Sequence, residues 1–430
     1  MSDLSAFYGD DVSGLFGGRY VGSQRLGQTL DAERIVSALD IDFSSLSPDV
    51  LHGFDYEERI LALFALADLQ LERTQVLIGG RAELQSYSSR APVEFVILNA
   101  ESQPLPPDWT RSPDLFAKND HILFLPSVHI NHVFGVDLIG RAAAWTSYAK
   151  PSIERTTRAA RLVLDARDSE TGNQIENPEN WVLREANTGN YELSPARAYN
   201  LDLSLEWYPT ETGAYSIALF YKNIDDFLVR GSSSVIRSGV SEFANSISIP
   251  SFENPIADDL LLTRPGSGES AQVWGVELSL RDRFLFLPAP FDHLGGSFNA
   301  TFQKSQLDTG VYWHPEGYKL PLFETPETLL NVELFWSSER WDAYLSYNYQ
   351  GAFLEDFEEF GNNPYEQDYA FLDVSIKRFL TDRRHYLSFD VQNVLGGPSY
   401  WYTFGKHSAG SPRSYISNGP IFQIKLAFVG

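Results

Sequence analysis

Residues 201–208 read LDLSLEWY, and apolar and polar residues alternate along this stretch without a break. The apolar positions are Leu201, Leu203, Leu205 and Trp207, and the polar positions between them are Asp202, Ser204 and Glu206. Because successive side chains of a β-strand point to opposite faces, a spacing of two predicts a strand with one apolar and one polar face.

The same alternation recurs along most of the chain. It appears at residues 76–84, 274–280, 298–302, 330–336, 341–349, 372–376 and 387–391. Charged and amide side chains occupy the middle of the polar faces, which favours a water-filled lumen and is typical of transmembrane β-barrels. We therefore predict an all-β fold, an antiparallel transmembrane β-barrel, with about thirteen strands from Arg59 onward.

The connections between these strands alternate in length. Short turns fall at residues 209–213, 337–340 and 381–384, whereas long polar stretches fall at 151–197, 230–272, 303–324 and 353–367. This order predicts short periplasmic turns and long extracellular loops. Aromatic residues near strand ends, among them Trp207, Trp336, Trp341, Tyr400, Trp401 and Tyr402, fit belts at the bilayer interfaces or ordinary cross-strand pairs.

Composition excludes several classes of function. The 430 residues carry a net charge of −24, which argues against nucleic-acid binding, and no cysteine, which excludes disulfides and thiolate chemistry. No signal peptide and no stretch of roughly 18 apolar residues is visible. We divide the chain into a loop-like region at residues 1–54, with a possible short helix at 30–39, and the barrel portion at 55–430.

No catalytic, cofactor-binding or metal-binding residues are predicted. His129 and His132 are three apart on a strand, so they should face opposite sides and not share a metal. The Asp225-Asp226 pair is read as a turn. The acidic run at residues 355–359 is read as a solvated loop, with a cation site as the weaker alternative. The sequence lacks the common hydrolase, metalloprotease and nucleotide-binding motifs, so we expect no enzyme.

Several segments resemble, in the same order, the C-terminal half of the TonB-dependent transporters. Residues 56–83 end in a GxRxE-like motif formed by Gly79, Arg81 and Glu83. The other matching segments are residues 125–152, 189–208, 215–229 with its IDDF turn, 273–280 with VxGxE, and 389–396. The C-terminal segment IFQIKLAFVG carries the signature of a final barrel strand at Phe422, Ile424, Leu426 and Phe428.

The resemblance implies a barrel of 22 strands, of which this chain supplies roughly the last thirteen, with the plug domain and TonB box expected outside it. It implies a TonB-dependent receptor in the outer membrane of a Gram-negative bacterium that takes up a siderophore, cobalamin or oligosaccharide. The expected partners are outer-membrane lipid and lipopolysaccharide, a small-molecule ligand, and TonB only if the missing N-terminal part is supplied. Two alternatives remain: a non-transporting barrel fragment or small binding barrel, and a secreted all-β carbohydrate-active protein.

Overall fold

A computed structural model describes residues 54–98, 114–157, 160–168, 170–233, 255–267, 270–308, 318–356, 363–380, 383–406, 412–417 and 419–428, all within one compact unit, Leu51–Gly430. The helix predicted at residues 30–39 lies outside the described residues, as does the rest of the N-terminal region up to residue 53. No helix in the described ranges is long and apolar enough to cross a membrane.

The described residues are almost entirely β-structure. In chain order the strands are β1 (Asp55–Leu71), β2 (Thr74–Leu98), β3 (Asp114–Val133), β4 (Leu138–Ala149), β5 (Ala160–Asp165), β6 (Val182–Thr188), β7 (Ala196–Trp207), β8 (Ala214–Asp225), β9 (Leu228–Ser233), β10 (Ile256–Thr263), β11 (Pro265–Ser267), β12 (Ser270–Arg283), β13 (Leu294–Asp308), β14 (Thr328–Ser337), β15 (Trp341–Gln350), β16 (Phe353–Leu354), β17 (Pro364–Glu366), β18 (Tyr369–Phe379), β19 (Tyr386–Gln392), β20 (Pro398–Phe404), β21 (Pro412–Ser417) and β22 (Ile421–Ala427). One helical turn, α1 (Ile153–Thr156), and two 3-10 turns at Pro178–Asn180 and Phe291–His293 complete the described elements.

Thirteen of the described strands form one antiparallel series, which we call the main sheet. Its order is β1-β2-β3-β4-β7-β8-β12-β13-β14-β15-β18-β19-β22, so each strand pairs with its sequence neighbours in the series. This confirms both the all-β fold and the predicted strand number. Among the described strands, β1 and β22 each have a single neighbour, so the sheet is not closed by them.

The registers place the apolar residues of neighbouring strands side by side. Leu203 pairs with Leu219, and Leu219 pairs with Val276. Farther along the sheet, Leu345 pairs with Leu334 and with Val374. Directly paired residues share a face, so one face is continuously apolar, and it carries Leu203, Leu205, Leu345, Tyr347, Leu387 and Phe389. The opposite, polar face carries Asp202, Glu206, Glu333 and Asp390, which confirms the predicted division into two faces.

Connection length alternates along the main sheet. Strands β1 and β2 are joined by Glu72 and Arg73 alone, and Glu72 adopts a left-handed backbone with φ of 43°. The next connection, from β2 to β3, spans residues 99–113, and long and short connections then alternate to β22. All short connections therefore lie at one end of the antiparallel sheet and all long ones at the other.

Two of the long connections are not simply loops, because they contain strands that pair edge to edge with one another and with the end of β2. Residues 151–197 and 230–272 were predicted as long polar loops, yet β5, β6 and β10 lie within them. β5 runs parallel to the last six residues of β2, Val93–Leu98, and the order continues through β6 to β10. We call this four-strand part, at the long-connection end, the outer sheet.

The outer sheet has its own buried core. Its fully buried members include Leu162, Leu164, Trp181 and Leu183, and the Nε1 of Trp181 donates to the carbonyl oxygen of Ile175 at 3.0 Å. Burial of this apolar surface, worth about 25 cal/mol per Å², is what orders connections that would otherwise be solvated chain. The outer sheet is thus a packed cap on one end of the main sheet.

A smaller sheet corrects the prediction for residues 353–367 and for three aromatic residues. Strands β16 and β17 lie in that predicted loop and join β20 and β21 in a four-stranded sheet. Tyr400, Trp401 and Tyr402 belong to β20, so their backbone lies outside the main sheet and they are not part of its strand ends. The distance along the chain from β17 to β20 explains why local alternation did not predict this pairing.

Candidate functional site

The polar face of the main sheet holds connected groups of charged side chains. Glu83 is 4% exposed and accepts hydrogen bonds from the Tyr148 hydroxyl at 2.7 Å and the Gln85 Nε2 at 2.8 Å. Arg81 makes an ion pair with the same carboxylate. Gly79, Arg81 and Glu83 are spaced by two along β2, so they share the polar face. A buried carboxylate that is paired with a cation and accepts two hydrogen bonds has its hydrogen-bonding capacity satisfied.

A second group lies near the short-connection end. Arg141 contacts Glu206 through Nε at 2.8 Å and through Nη2 at 3.2 Å, a bidentate arrangement. The Tyr208 hydroxyl donates to the same carboxylate at 2.9 Å, and Arg141 also donates to the side chain of Asn131 at 3.2 Å. These bonds tie β3, β4 and β7 together across the polar face.

A cavity of ≈ 540 Å³ opens on the polar face toward the long-connection end. It lies among β4, β7, β8, β12 and β13, and its lining includes Trp145, Asn200, Asp202, Phe220, Lys222 and Glu277. The indole Nε1 of Trp145 donates to the Asp202 carboxylate at 2.7 Å, which fixes both side chains in the wall. Concave sites that combine aromatic faces with a few polar groups are the usual form of small-molecule sites.

The segment before β14 folds back over the polar face and forms one side of this cavity. The backbone N–H of Leu322 donates to the Ser305 hydroxyl at 2.9 Å, and Gln303 Nε2 donates to the Pro326 carbonyl oxygen at 2.8 Å. Glu324 has a left-handed backbone with φ of 51° and lines the cavity. The cavity is thus built from strand residues and from a chain segment bonded to them.

A second cavity of ≈ 590 Å³ lies farther along the same face and is lined mainly by amides and aromatic rings. Asn331 and Asn348 are directly paired across β14 and β15, and Phe371 follows Asn348 on β18. By contrast, a groove of ≈ 390 Å³ on the apolar face is lined chiefly by aliphatic side chains around Gly140 and Ala142. That groove is therefore apolar, whereas the two cavities of the polar face combine apolar and polar groups.

The two histidines considered as metal ligands in the sequence, His129 and His132, both lie on β3. His129 pairs with Ala143 on the polar face, and His132 pairs with Gly140 on the apolar face, where its Nδ1 lies 2.7 Å from the Thr74 hydroxyl oxygen. The two rings therefore face opposite sides, which confirms that prediction. Within the described ranges, no group of three or more His, Asp or Glu side chains could hold a metal ion.

Phe422, Ile424 and Leu426 lie on the apolar face of β22. They pair with Val391, Phe389 and Leu387, and their exposed fractions are 68%, 75% and 57%. The ring of Phe428, just beyond β22, lies 5.8 Å from that of His385. Their role as the signature of a final barrel strand stays a prediction.

The polar-face cavity around Asn200 was not predicted from the sequence. Its lining residues come from β4, β7, β8, β12, β13, the segment before β14 and the start of β14, so residues more than 170 positions apart in the sequence meet there. The VxGxE motif could have indicated part of this cavity, because its residues Val273, Gly275 and Glu277 are spaced by two and all lie on the polar face.

Residues 3–394 match a protein family described as TonB dependent receptor-like, beta-barrel. No curated protein matches the sequence. Among solved structures, the chain is similar to the ferric-catecholate import receptor Fiu from K12 E. coli, with a TM-score of 0.54 and 12% identity, covering 86% of this chain and 44% of that one.

The ferric yersiniabactin uptake receptor FyuA from Yersinia pestis is similar with a TM-score of 0.52 and 15% identity, over 86% of this chain and 45% of that one. The siderophore receptor PiuA from Acinetobacter baumannii is similar with a TM-score of 0.51 and 12% identity, over 87% of this chain and 44% of that one. The chain therefore spans less than half the length of each of these structures, and at such identities the likeness concerns the fold.

Proposed function

The chain belongs to the TonB-dependent receptor-like β-barrel family, and from that premise we propose that it forms part of an outer-membrane receptor that takes up a small nutrient in a Gram-negative bacterium. The observation that carries this proposal is the two-faced main sheet. Its apolar face is continuous across the described strands, and its opposite face holds carboxylates, amides and two cavities. In a membrane, such a sheet turns the first face to lipid and the second to a water-filled lumen.

The proposal extends to partners. Outer-membrane lipid and lipopolysaccharide would surround the apolar face, and a small-molecule ligand would enter from the end that bears the outer sheet. TonB would act on the N-terminal part that the family's architecture adds to the barrel. Siderophores, cobalamin and oligosaccharides are the candidate ligand classes, and the solved structures named above are a ferric yersiniabactin uptake receptor, a ferric-catecholate import receptor and a siderophore receptor. The family consists of transport receptors, which counts against a secreted carbohydrate-active enzyme.

A non-transporting outer-membrane barrel fragment or a small binding barrel is the second candidate, and the open edge of the main sheet is the observation that bears on it. β1 pairs only with β2 among the described strands, and its exposed side chains include Leu63 at 74% and Phe64 at 78%. A 17-residue strand edge cannot remain unpaired in lipid, because no water is available to bond its backbone groups. In lipid this edge must therefore be paired by a strand outside the described residues or by another chain.

An uptake experiment separates these candidates. The protein is expressed in a strain that lacks its own receptors. Accumulation of labelled ferric siderophores, cobalamin and oligosaccharides is then measured with and without TonB. We expect TonB-dependent accumulation of one of these ligand classes. Accumulation independent of TonB, or none with a folded protein in the outer membrane, would reject the receptor.

A further inference from the structure

The floor of the cavity around Asn200 is a regular patch of paired strand residues. Trp145, Asn200 and Lys222 lie side by side on β4, β7 and β8. Phe220 pairs with Gly275 on β12. A Cβ at Gly275 would come within 2.8 Å of the Phe220 Cζ, so the glycine leaves room for the ring against the sheet.

Carboxylates outnumber cationic groups around this floor. Three carboxylates, those of Asp202, Glu277 and Glu324, line the cavity together with one ammonium group, that of Lys222. A carboxylate is an acceptor only, and three negative charges against one positive charge leave the lining negative. An anionic ligand would be repelled here, whereas hydroxyl and amino groups would find acceptors.

The side-chain carbonyl oxygen of Asn200 lacks a hydrogen-bond donor, which is a second, independent observation about this cavity. This residue is 6% exposed, and its Oδ1 has no hydrogen-bond partner. Its Nδ2 donates to the Trp145 carbonyl oxygen at 3.2 Å, to the Ser147 hydroxyl at 3.4 Å and to the Ala198 carbonyl oxygen at 3.5 Å. An unpaired buried carbonyl oxygen is costly, and Asn200 lines the cavity, so a ligand donor bound there could satisfy it.

We propose that this cavity binds a saccharide-like ligand that presents several hydroxyl or amino donors and carries no net negative charge. Trp145 and Phe220 supply apolar ring surface for a sugar face, and the carboxylates and Asn200 accept its donors. A metal ion is the poorer occupant, because no metal-holding group of carboxylates is found among the described residues. The inference deepens the proposed function, on which it rests, by giving the class of ligand.

Three disaccharides of similar size and different charge test this proposal. The probes are the disaccharide of glucosamine with two amino groups, cellobiose, and a disaccharide that carries glucuronic acid. Binding of each labelled probe is measured on outer membranes from cells that express the protein, against membranes from cells that do not. We expect the amino disaccharide to bind most tightly, cellobiose less tightly and the uronic acid least.

Two variants with opposite expected effects make the test specific. Glu277→Gln removes one negative charge and should weaken binding of the amino disaccharide about threefold to tenfold, with little change for cellobiose. Lys222→Gln removes the positive charge and should strengthen binding of the amino disaccharide by a similar factor. Glu333→Gln, on the polar face outside this cavity, is the matched control and should change neither.

Tightest binding of the uronic acid, no binding of any disaccharide above control membranes, or equal effects of Glu277→Gln and Glu333→Gln would each overturn the proposal. Heat-modifiable gel migration identical to the parent protein establishes that each variant is folded. Binding is measured without TonB, so a failure of energised uptake leaves this result intact, and a failure of binding leaves the receptor proposal intact.

Discussion

The central apolar position of β15 offers a quantitative test of the two-faced sheet. Leu345 is the fifth of ten residues in Trp341–Gln350, it is 37% exposed, and Leu334 and Val374 flank it on the same face. At about 3.4 Å per residue and a tilt of about 45°, ten residues cover roughly 24 Å of membrane thickness, so Leu345 lies near the middle.

We expect Leu345→Arg to lower the free energy of unfolding by about 2–4 kcal/mol, the cost of a guanidinium at the midplane of the bilayer. The measurement is reversible unfolding in urea from lipid vesicles, followed by tryptophan fluorescence, with the parent protein alongside. The cost should shrink toward about 0–1 kcal/mol for arginine placed near either end of the same strand face.

The neighbouring residue provides the matched control. Ser346 lies on the polar face and pairs with Glu333 and Asp373, so an arginine at this position meets two carboxylates in an aqueous lumen. Ser346→Arg should therefore change stability by less than about 1 kcal/mol. Equal costs at the two positions, or a greater cost at Ser346, would refute the assignment of the faces.

Three further predictions concern the regions outside the apolar band. Trp181→Ala should destabilise the outer sheet by about 3–5 kcal/mol and expose it to added protease, while the main sheet keeps its heat-modifiable migration. Asp282→Ala removes the acceptor of Thr212 at 2.8 Å and Tyr215 at 2.6 Å, and should lower the free energy of unfolding by about 1–3 kcal/mol. Burial, and then repulsion by Glu355, raises the pKa of Glu366. The folded state therefore holds this proton to higher pH, so stability of the small sheet should fall as pH rises from the ordinary carboxyl pKa through the raised one. Glu366→Gln should remove that fall in a pH series of protease sensitivity.

The main sheet could be predicted because its strands are recognised from alternation within short segments and because each strand pairs with its neighbours in the series. In β7 the alternation at Leu203, Ser204 and Leu205 indicates which side chains share a face. The antiparallel order follows from the short turns between neighbouring strands. Turn length then fixes which ends of the strands meet. The number of strands and the division of the faces could therefore be obtained from the sequence alone.

The outer sheet could not be predicted in this way, because its pairings join distant segments. β5 runs parallel to the end of β2, more than sixty residues earlier, and β10 runs parallel to β6. Each of these strands is short, and a polar residue such as Arg161 or Glu185 interrupts its apolar pattern. Only the shared core around Trp181 distinguishes these segments from solvated loops.

The most direct test of the account is the alternation of water and lipid along one strand in the outer membrane. Because the chain contains no cysteine, single cysteines at Leu203, Ser204, Leu205 and Glu206 can be labelled without background. A water-soluble maleimide small enough to enter the lumen should modify the cysteines at 204 and 206 in isolated outer membranes and leave those at 203 and 205 unmodified until detergent is added. Uniform labelling of all four, or labelling at 203 and 205 alone, would contradict a membrane barrel with a polar lumen.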